Sequence, residues 1–391
     1  MKKYFVATLL FLSIISCNSN RLKDTENENN IKTLRKGTNW QELISTEVSD
    51  VPEFLKFTYF KNCNSIFAPI IERGDIAKYF LKFSIKNKNF SLLGEPGQCP
   101  TCLNFIKSVT VCDNVIAVGQ NRKGYNFYDC NGNFLFQIGV LNCPSGPCFF
   151  WEDKFYSFPE STMFDDYAIY VFDIQTKKLL SKHIKKKEFL KLISFTGEGN
   201  TMIQGGKVTG TQNRIVGFDY TKIGSSVVML PQANPIGTKE FFVISLKNFR
   251  INRVSLLKYR KCLNKKFPEK RVEVFSTVTT KDNNIVIVRN LLPFETCEIE
   301  TIKNKYGFFL LLEMNLKGNV IGIYIPPKDI FLQNCYGVAP IDIEYTGNDE
   351  YILNEIQYLR KNKKRLTIQH LIKFRATKLN TEEVQKILKI L

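Results

Sequence analysis

Between residues 50 and 377 the chain alternates short β-branched and aromatic runs with clusters of turn formers, and helical periodicity is almost absent. Tight turns of one kind recur at Lys61–Asn64, Cys112–Asn114, Glu152–Asp153, Thr196–Asn200, Gly237–Glu240, Lys281–Asn284 and Thr346–Asp349. Each is followed by an apolar strand, and successive turns lie roughly 40 to 65 residues apart. A second set of hairpins interleaves with the first, at Tyr79–Leu93, Tyr125–Ile138, Ala168–Ile184, Arg214–Leu230, Val254–Phe275 and Phe308–Ile325. Asn131-Gly132 and Lys317-Gly318 supply the positive-φ residues that short hairpins need. Two hairpins per unit make four strands, the content of a propeller blade.

The period shows most plainly between Phe90 and Trp151, which say one thing twice. Phe90-Ser-Leu-Leu-Gly94 leads into Cys99-Pro-Thr-Cys102, and Phe134-Leu-Phe-Gln-Ile-Gly139 leads into Cys143-Pro-Ser-Gly-Pro-Cys148. Phe90 to Phe134 is 44 residues, and so is Cys99 to Cys143. Such a period in strand–corner–strand units indicates radial repetition of β-structure. The expected fold is all-β: a propeller of four-stranded blades over residues 40–379, with seven blades favoured and six as the alternative. Six blades result if one weak unit, such as Gly237–Phe275, is an insertion. The last unit, Pro340–Thr377, lacks an outer strand, and a segment within Trp40–Phe57 is placed to supply it and close the ring. Beyond Lys378, Asn380 or Thr381 can cap a short helix over residues 380–391, with Val384, Ile387, Leu388 and Leu391 on one face.

The N-terminal end changes the picture. Met1-Lys2-Lys3 precedes an apolar run from Tyr4 to Ile15 that is too short to span a bilayer as a mature helix, so it reads as a signal. Ile14-Ile15-Ser16-Cys17 resembles the lipobox of bacterial lipoproteins. That resemblance implies a signal peptide over residues 1–16, a diacylglycerol on Cys17, and attachment to a membrane through the lipid. Residues 17–39 are mostly polar and read as a flexible tether. Asn18 is not the aspartate of the best-known inner-membrane retention signal. No dense acidic tract follows Cys17 either. The expected location is the cell envelope, on the outer membrane facing the periplasm, with surface exposure left open.

The blade pattern together with the lipobox resembles the β-propeller lipoproteins common in Bacteroidota, of the six-bladed NHL-like and TolB-like groups. In those groups an apolar strand and a glycine lead into a Gly/Pro corner, as at Leu92-Leu-Gly94-Glu-Pro-Gly97 and Gln137-Ile-Gly139 with Pro144-Ser-Gly146-Pro147. The cysteines in both corners depart from the family pattern. The resemblance implies a scaffold or binding role and brings no catalytic residue with it.

Net charge is +18, or +16 without Lys2 and Lys3, and is spread along the chain with no nucleic-acid motif, so no nucleic-acid partner is expected. Ten cysteines remain beside Cys17. Their even number suits disulfides in an exported protein. The corners Cys99, Cys102, Cys143 and Cys148 are the leading candidates, within or between themselves, and Cys112 with Cys130 is a further pair. Zinc held by the four corner cysteines, and a redox role for Cys99-Pro-Thr-Cys102, are the alternatives weighed against this. Neither His183 nor His370 has a carboxylate at motif spacing. Hydrolase motifs, phosphate loops and dinucleotide fingerprints are missing, so no catalytic residue, cofactor or metal is assigned. Phe149, Phe150, Trp151 and Tyr156, near lysines, are the candidate ligand-contacting aromatics. The expected function is a binding or scaffold module for a peptide, protein or glycan. The alternative is an enzyme acting on a glycan or lactone at the central channel, which inward-facing Asp, Glu and His would favour.

Overall fold

The computed structural model describes residues 34–391 apart from 35, 48–55, 71–78, 95–101, 104, 122, 140–142, 162–163, 194–199, 205–206, 213–216, 233–239, 257–274, 292–296, 331–339 and 362–363. The signal, Cys17 and Cys99 lie outside these residues.

Each blade is an antiparallel meander whose first strand is innermost. Blade 1 comprises β3 (Thr58–Phe60), β4 (Ser65–Pro69), β5 (Phe80–Ser84) and β6 (Asn89–Leu93). Blade 2 comprises β7 (Ile106–Cys112), β8 (Val115–Gln120), β9 (Gly124–Tyr128) and β10 (Phe134–Ile138). Blade 3 comprises β11 (Cys148–Trp151), β12 (Lys154–Ser157), β13 (Tyr167–Asp173) and β14 (Leu179–Lys185). Blade 4 comprises β17 (Gly217–Ile223), β18 (Ser226–Gln232), β19 (Glu240–Ser245) and β20 (Ile251–Ser255). Blade 5 comprises β21 (Phe275–Lys281), β22 (Asn284–Asn290), β23 (Phe309–Met314) and β24 (Val320–Ile325), extended by β28 (Thr377–Lys378). Blade 6 comprises β25 (Pro340–Gly347), β26 (Glu350–Lys361) and β27 (Lys364–Arg375). It is completed from the other end of the chain by β2 (Trp40–Glu47), which pairs with β27 from Trp40↔Phe374 to Glu47↔Ile368. The ring closes as expected from the missing outer strand. A short β1 (Lys36–Gly37) hairpins onto β2, so the sheet begins inside the segment read as a tether.

Six blades are formed, not the favoured seven. The hairpin counted as an extra blade, β15 (Asn200–Gln204) with β16 (Lys207–Gln212), is a separate two-stranded sheet. Taking it for the first half of a blade shifts the phase of the later strands. Arg214–Leu230 is then read as an outer hairpin, although β17 and β18 are the inner half of blade 4. The strand after Gly237 becomes the start of a new unit, although β19 pairs with β18 in a continuous ladder. The expected Val254–Phe275 pairing is replaced by β19–β20 and β21–β22.

Among the described residues six apolar clusters, one at each blade–blade interface, hold the ring. Phe60, Phe67 and Phe80 meet Val109 and Val118 between blades 1 and 2. Tyr125 and Phe127 meet Phe155 and Phe172 between blades 2 and 3. Tyr156 and Phe158 meet Phe218 and Val227 between blades 3 and 4, and Val228 meets Ile285 between blades 4 and 5. Val286 meets Leu353 between blades 5 and 6, and Leu43 and Leu371 meet Ile66 and Leu81 where the ring closes. Strand alternation produces this arrangement: one set of side chains faces the preceding blade and the other the following blade, so both faces of each sheet are apolar.

Turn chemistry is repeated too. Asp129 Oδ1 accepts from Asn131 N and Asn133 N at 2.8 Å each, with Gly132 at φ 89°. Asn315 Oδ1 accepts from Lys317 N (2.9 Å) and Asn319 N (3.1 Å), with Gly318 at φ 87°. Both are Asx turns that fix the outer hairpin. Three short helices complete the described residues: α1 (Lys186–Leu192), α2 (Cys297–Tyr306) and α3 (Thr381–Ile390). α3 is the expected terminal helix, capped by Asn380, whose side chain accepts from Glu383 N at 2.9 Å. The Glu383 carboxylate faces the Asn380 backbone amide in return, as in a capping box. It also takes Lys305 Nζ and Tyr306 OH of α2, at 2.9 Å each.

Candidate functional site

A cleft of about 510 Å³ opens where the outer strand of blade 3 faces blade 4. One wall is the β11–β12 hairpin, with Trp151, Glu152, Lys154 and Tyr156. The other is β14, with Leu180, Ser181 and His183, and the β19–β20 turn adds Leu246, Lys247 and Phe249. The backbone sets this shape. Glu152 and Asp153 both take positive φ (48° and 55°), and Phe249 does so at 58°, so the two turns hold their flanking side chains in fixed positions.

Four rings run through the cleft as a ladder. Trp151 lies 6.1 Å from Tyr156, and Tyr156 lies 6.4 Å from Phe249. Phe249 stacks on the His183 imidazole with centroids 3.5 Å apart and planes 13° apart. Ser181 Oγ and His183 Nε2 lie 2.7 Å apart and fix the imidazole in its plane. Burial holds the His183 pKa below its ordinary value, so the ring is neutral at neutral pH and stacks as an uncharged aromatic. Lys154 and Lys247 flank the ladder with positive charge, and Glu152 supplies the opposite sign. Flat apolar faces with a few directed polar groups are what a small-ligand site needs.

The four candidate aromatics divide. Trp151 and Tyr156 line the cleft. Phe149, 9% exposed, packs in the interface between blades 3 and 4, and Phe150 packs on Phe127 and Phe155 between blades 2 and 3. Strand β11 runs through all of Cys148–Trp151, so successive side chains point to opposite neighbours, and only the end beside the turn reaches the cleft. His183 and Phe249 were not among the candidates. Their separation of 66 positions gives no local signal, and only the stacking of blades brings them together.

The cysteines fall differently from the expected pairs. Cys130 is joined to Cys63, not Cys112, at a Cα–Cα distance of 6.2 Å, tying the first turn of blade 1 to the outer turn of blade 2. Cys102 is disulfide-bonded as well, which removes it from a four-thiolate zinc set. Cys112, Cys143 and Cys148 hold thiols. Among the described residues no three His, Cys, Asp or Glu side chains are placed to hold a metal ion.

A second constellation, not singled out from sequence, lies on the inner strands around the central channel. Asp219 of β17 accepts from Thr277 Oγ1 (2.6 Å) and Val278 N (2.8 Å) of β21. Asp342 of β25 accepts from Phe57 N at 2.7 Å, and its other oxygen lies 3.2 Å from Thr277 Oγ1. Lys56 donates to Phe218 O (2.8 Å) and pairs with Asp219 at 3.3 Å. Thr279 donates to Glu344 at 3.1 Å. This seam links the innermost strands of blades 4, 5 and 6 to the entry of blade 1. Burial, with the Asp219 charge beside it, pushes the Asp342 pKa up to about 7. Burial and the charge of Asp342 raise Glu344 well above the carboxylate range. Against the desolvation around it, the Asp219 and Asp342 carboxylates hold the Lys56 ammonium above its ordinary value. The carboxylates accept from backbone amides of neighbouring blades, so the seam fastens the inner strands together.

No protein-family model matches the chain, and no curated protein sequence matches it. The chain is similar to several solved structures. BamB from Moraxella catarrhalis is 8% identical over 81% of this chain and 84% of its own, with a TM-score of 0.33. The hydrazine synthase of Kuenenia stuttgartiensis is 12% identical over 79% and 77%, with a TM-score of 0.39. The WD40 β-propeller domain of Doa1 is 10% identical over 86% and 97%, with a TM-score of 0.40. The order of strands in its own sheets makes the chain a six-bladed β-propeller.

Proposed function

We propose that this propeller is a lipid-anchored binding module of the cell envelope, and that the cleft between blades 3 and 4 is its ligand site. The observation that carries the reading is the aromatic ladder Trp151–Tyr156–Phe249–His183, in which Trp151, Phe249 and His183 are half-buried over a buried Tyr156, flanked by Lys154 and Lys247. A lone accessible aromatic needs no explanation, but three half-buried rings along one cleft, backed by a fourth, do. Ring faces accept the apolar face of a pyranose or the side chains of an extended peptide. Two lysines favour a ligand that carries a carboxylate or another anionic group. The proposed ligand is therefore an oligosaccharide or a peptide, with acidic members bound more tightly.

Attachment through Cys17 rests on Ile14-Ile15-Ser16-Cys17 and the apolar run before it. Placement on the outer membrane, facing the periplasm, rests on Asn18 and the missing acidic tract. Among the described residues no helix is long and apolar enough to cross a membrane.

The test is calorimetric titration of the full chain with panels of neutral and acidic oligosaccharides and peptides. Trp151→Ala and Lys247→Ala are each expected to weaken the best ligand by about tenfold, the scale of one lost interface anchor. Unchanged affinity in both variants would rule out the cleft. A second reading, hydrolysis of a glycan or lactone at the central channel, is favoured by one observation, the buried Asp342 carboxyl, its pKa raised to about 7, near Lys56 and Asp219. It requires turnover of a model substrate that Asp342→Asn abolishes, and binding without turnover goes against it.

A further inference from the structure

Cys112 ends the innermost strand of blade 2, and Cys148 begins the innermost strand of blade 3. Both are buried, at 3% and 0% exposure, in the aromatic interface between those blades. Their Sγ atoms lie 3.3 Å apart, and the Cys112 thiol also donates to Cys148 O at 3.1 Å. A third thiol is near, but it is turned to other partners. Cys143 donates to Pro144 O (3.4 Å) and Ser157 Oγ (3.6 Å), and Ser157 Oγ itself donates to Pro144 O at 2.5 Å.

We infer that Cys112 and Cys148 close to a disulfide that staples blade 2 to blade 3, continuing the series begun by Cys63–Cys130 between blades 1 and 2. Three arguments converge. A disulfide needs sulfurs about 2 Å apart, so the present separation closes with a side-chain movement of roughly 1.3 Å. The two cysteines lie on the strands that form the blade 2–blade 3 contact, so the ring itself brings them together. The same chain already carries Cys63–Cys130 and a bonded Cys102, so it is matched to an oxidising compartment.

The step is thiol–disulfide exchange with a donor disulfide, either a small molecule such as glutathione disulfide or a protein dithiol oxidant. One cysteine, as thiolate, attacks a donor sulfur to form a mixed disulfide and releases the donor's other sulfur as a thiol. The second cysteine, as thiolate, then attacks the protein sulfur of that mixed disulfide and displaces the remaining donor sulfur, also released as a thiol. Two electrons and two protons thus pass from Cys112 and Cys148 to the donor. Burial raises the Cys148 thiol well above its ordinary value, which suppresses the thiolate once the blades have closed. Exchange therefore belongs to folding, before blades 2 and 3 dock, and the finished bond is shielded from reductants in the native protein.

The test is a disulfide map of the full chain refolded in mixed reduced and oxidised glutathione, then denatured without reductant and alkylated. Trypsin with chymotrypsin cuts after Phe134 and Phe136, which separates Cys130 from Cys143 and Cys148. The expected result is a peptide joining Cys112 to Cys148 in most molecules. Cys143→Ser retains it, and Cys112→Ser loses it and leaves Cys148 alkylated. Native protein is expected to resist dithiothreitol at that bond at least about tenfold longer than unfolded protein. Alkyl groups on both Cys112 and Cys148 of the wild-type chain would overturn the inference, as would a Cys143–Cys148 link. The wild-type map decides alone, whether or not the variants fold.

Discussion

Replacing Asp342 with Asn changes how the stability of the ring depends on pH. Asp342 is 5% exposed, and its pKa rises from an ordinary 3.8 to about 7 in the folded chain. Burial is the larger cause and the Asp219 charge the second. A carboxyl raised on folding binds more protons in the native state than in the unfolded chain. Its contribution is therefore greatest below the unfolded pKa and is lost as pH rises through the folded value. At about 1.4 kcal/mol per pKa unit, the loss between about pH 5 and about pH 8 is roughly 2–3 kcal/mol. For a folded unit of about 350 residues, that corresponds to a fall in Tm of about 3–4 °C. Lys56 stays protonated through this window and leaves the slope unchanged. Asparagine keeps an oxygen to accept from Phe57 N and places its amide toward Thr277, but it cannot ionise. Differential scanning calorimetry across the window should show Asp342→Asn losing about 3–4 °C less than wild type between the two ends. Identical pH slopes would show that Asp342 titrates normally and that the seam is solvated, contrary to the reasoning.

Three other substitutions probe the frame of the ring. Cys63→Ser removes a bridge spanning 67 residues and should lower stability in denaturant melts by about 4 kcal/mol, with Cys130 appearing as a newly alkylated thiol. Leu43→Ala opens a cavity where β2 closes the ring against blade 1 and should lower stability by about 2–4 kcal/mol; its hydrogen exchange should quicken first along β2 and β27. Gly132→Ala puts a Cβ 2.8 Å from Leu93 at φ +89°, so a loss of about 1–2 kcal/mol in the same melts is expected, whereas Asn131→Ala should have a smaller effect.

The fold was legible where local chemistry carries it. Asn131-Gly132, Lys317-Gly318, Asp282 and Asn348-Asp349 mark their turns because few other residues accept positive φ. The short last unit announced the strand that closes the ring, because a blade without its outer strand leaves an edge unpaired. The blade count was not legible. β15–β16 is a hairpin like any other in its own residues, and only its lack of pairing with β17 excludes it from a blade. The site divides in the same way. Trp151 and Tyr156 were visible as aromatics near lysines beside a turn, while Phe149 and Phe150, on the same strand as Trp151, went to the core by alternation. The Asp219–Thr277–Asp342 seam was invisible. Its members sit on three different blades, and each reads alone as a polar residue in a strand.

The most direct measurement is iodide quenching of tryptophan fluorescence, with and without the tightest ligand found by titration. The chain has two tryptophans. Trp40 is 7% exposed between blades 5 and 6, so it is shielded throughout, and Trp151 stands in the cleft. The account predicts that one quenchable component, assigned by its loss in Trp151→Phe, becomes protected saturably as ligand binds. A ligand that binds by calorimetry and leaves Trp151 as quenchable as before would place the site elsewhere and contradict the account.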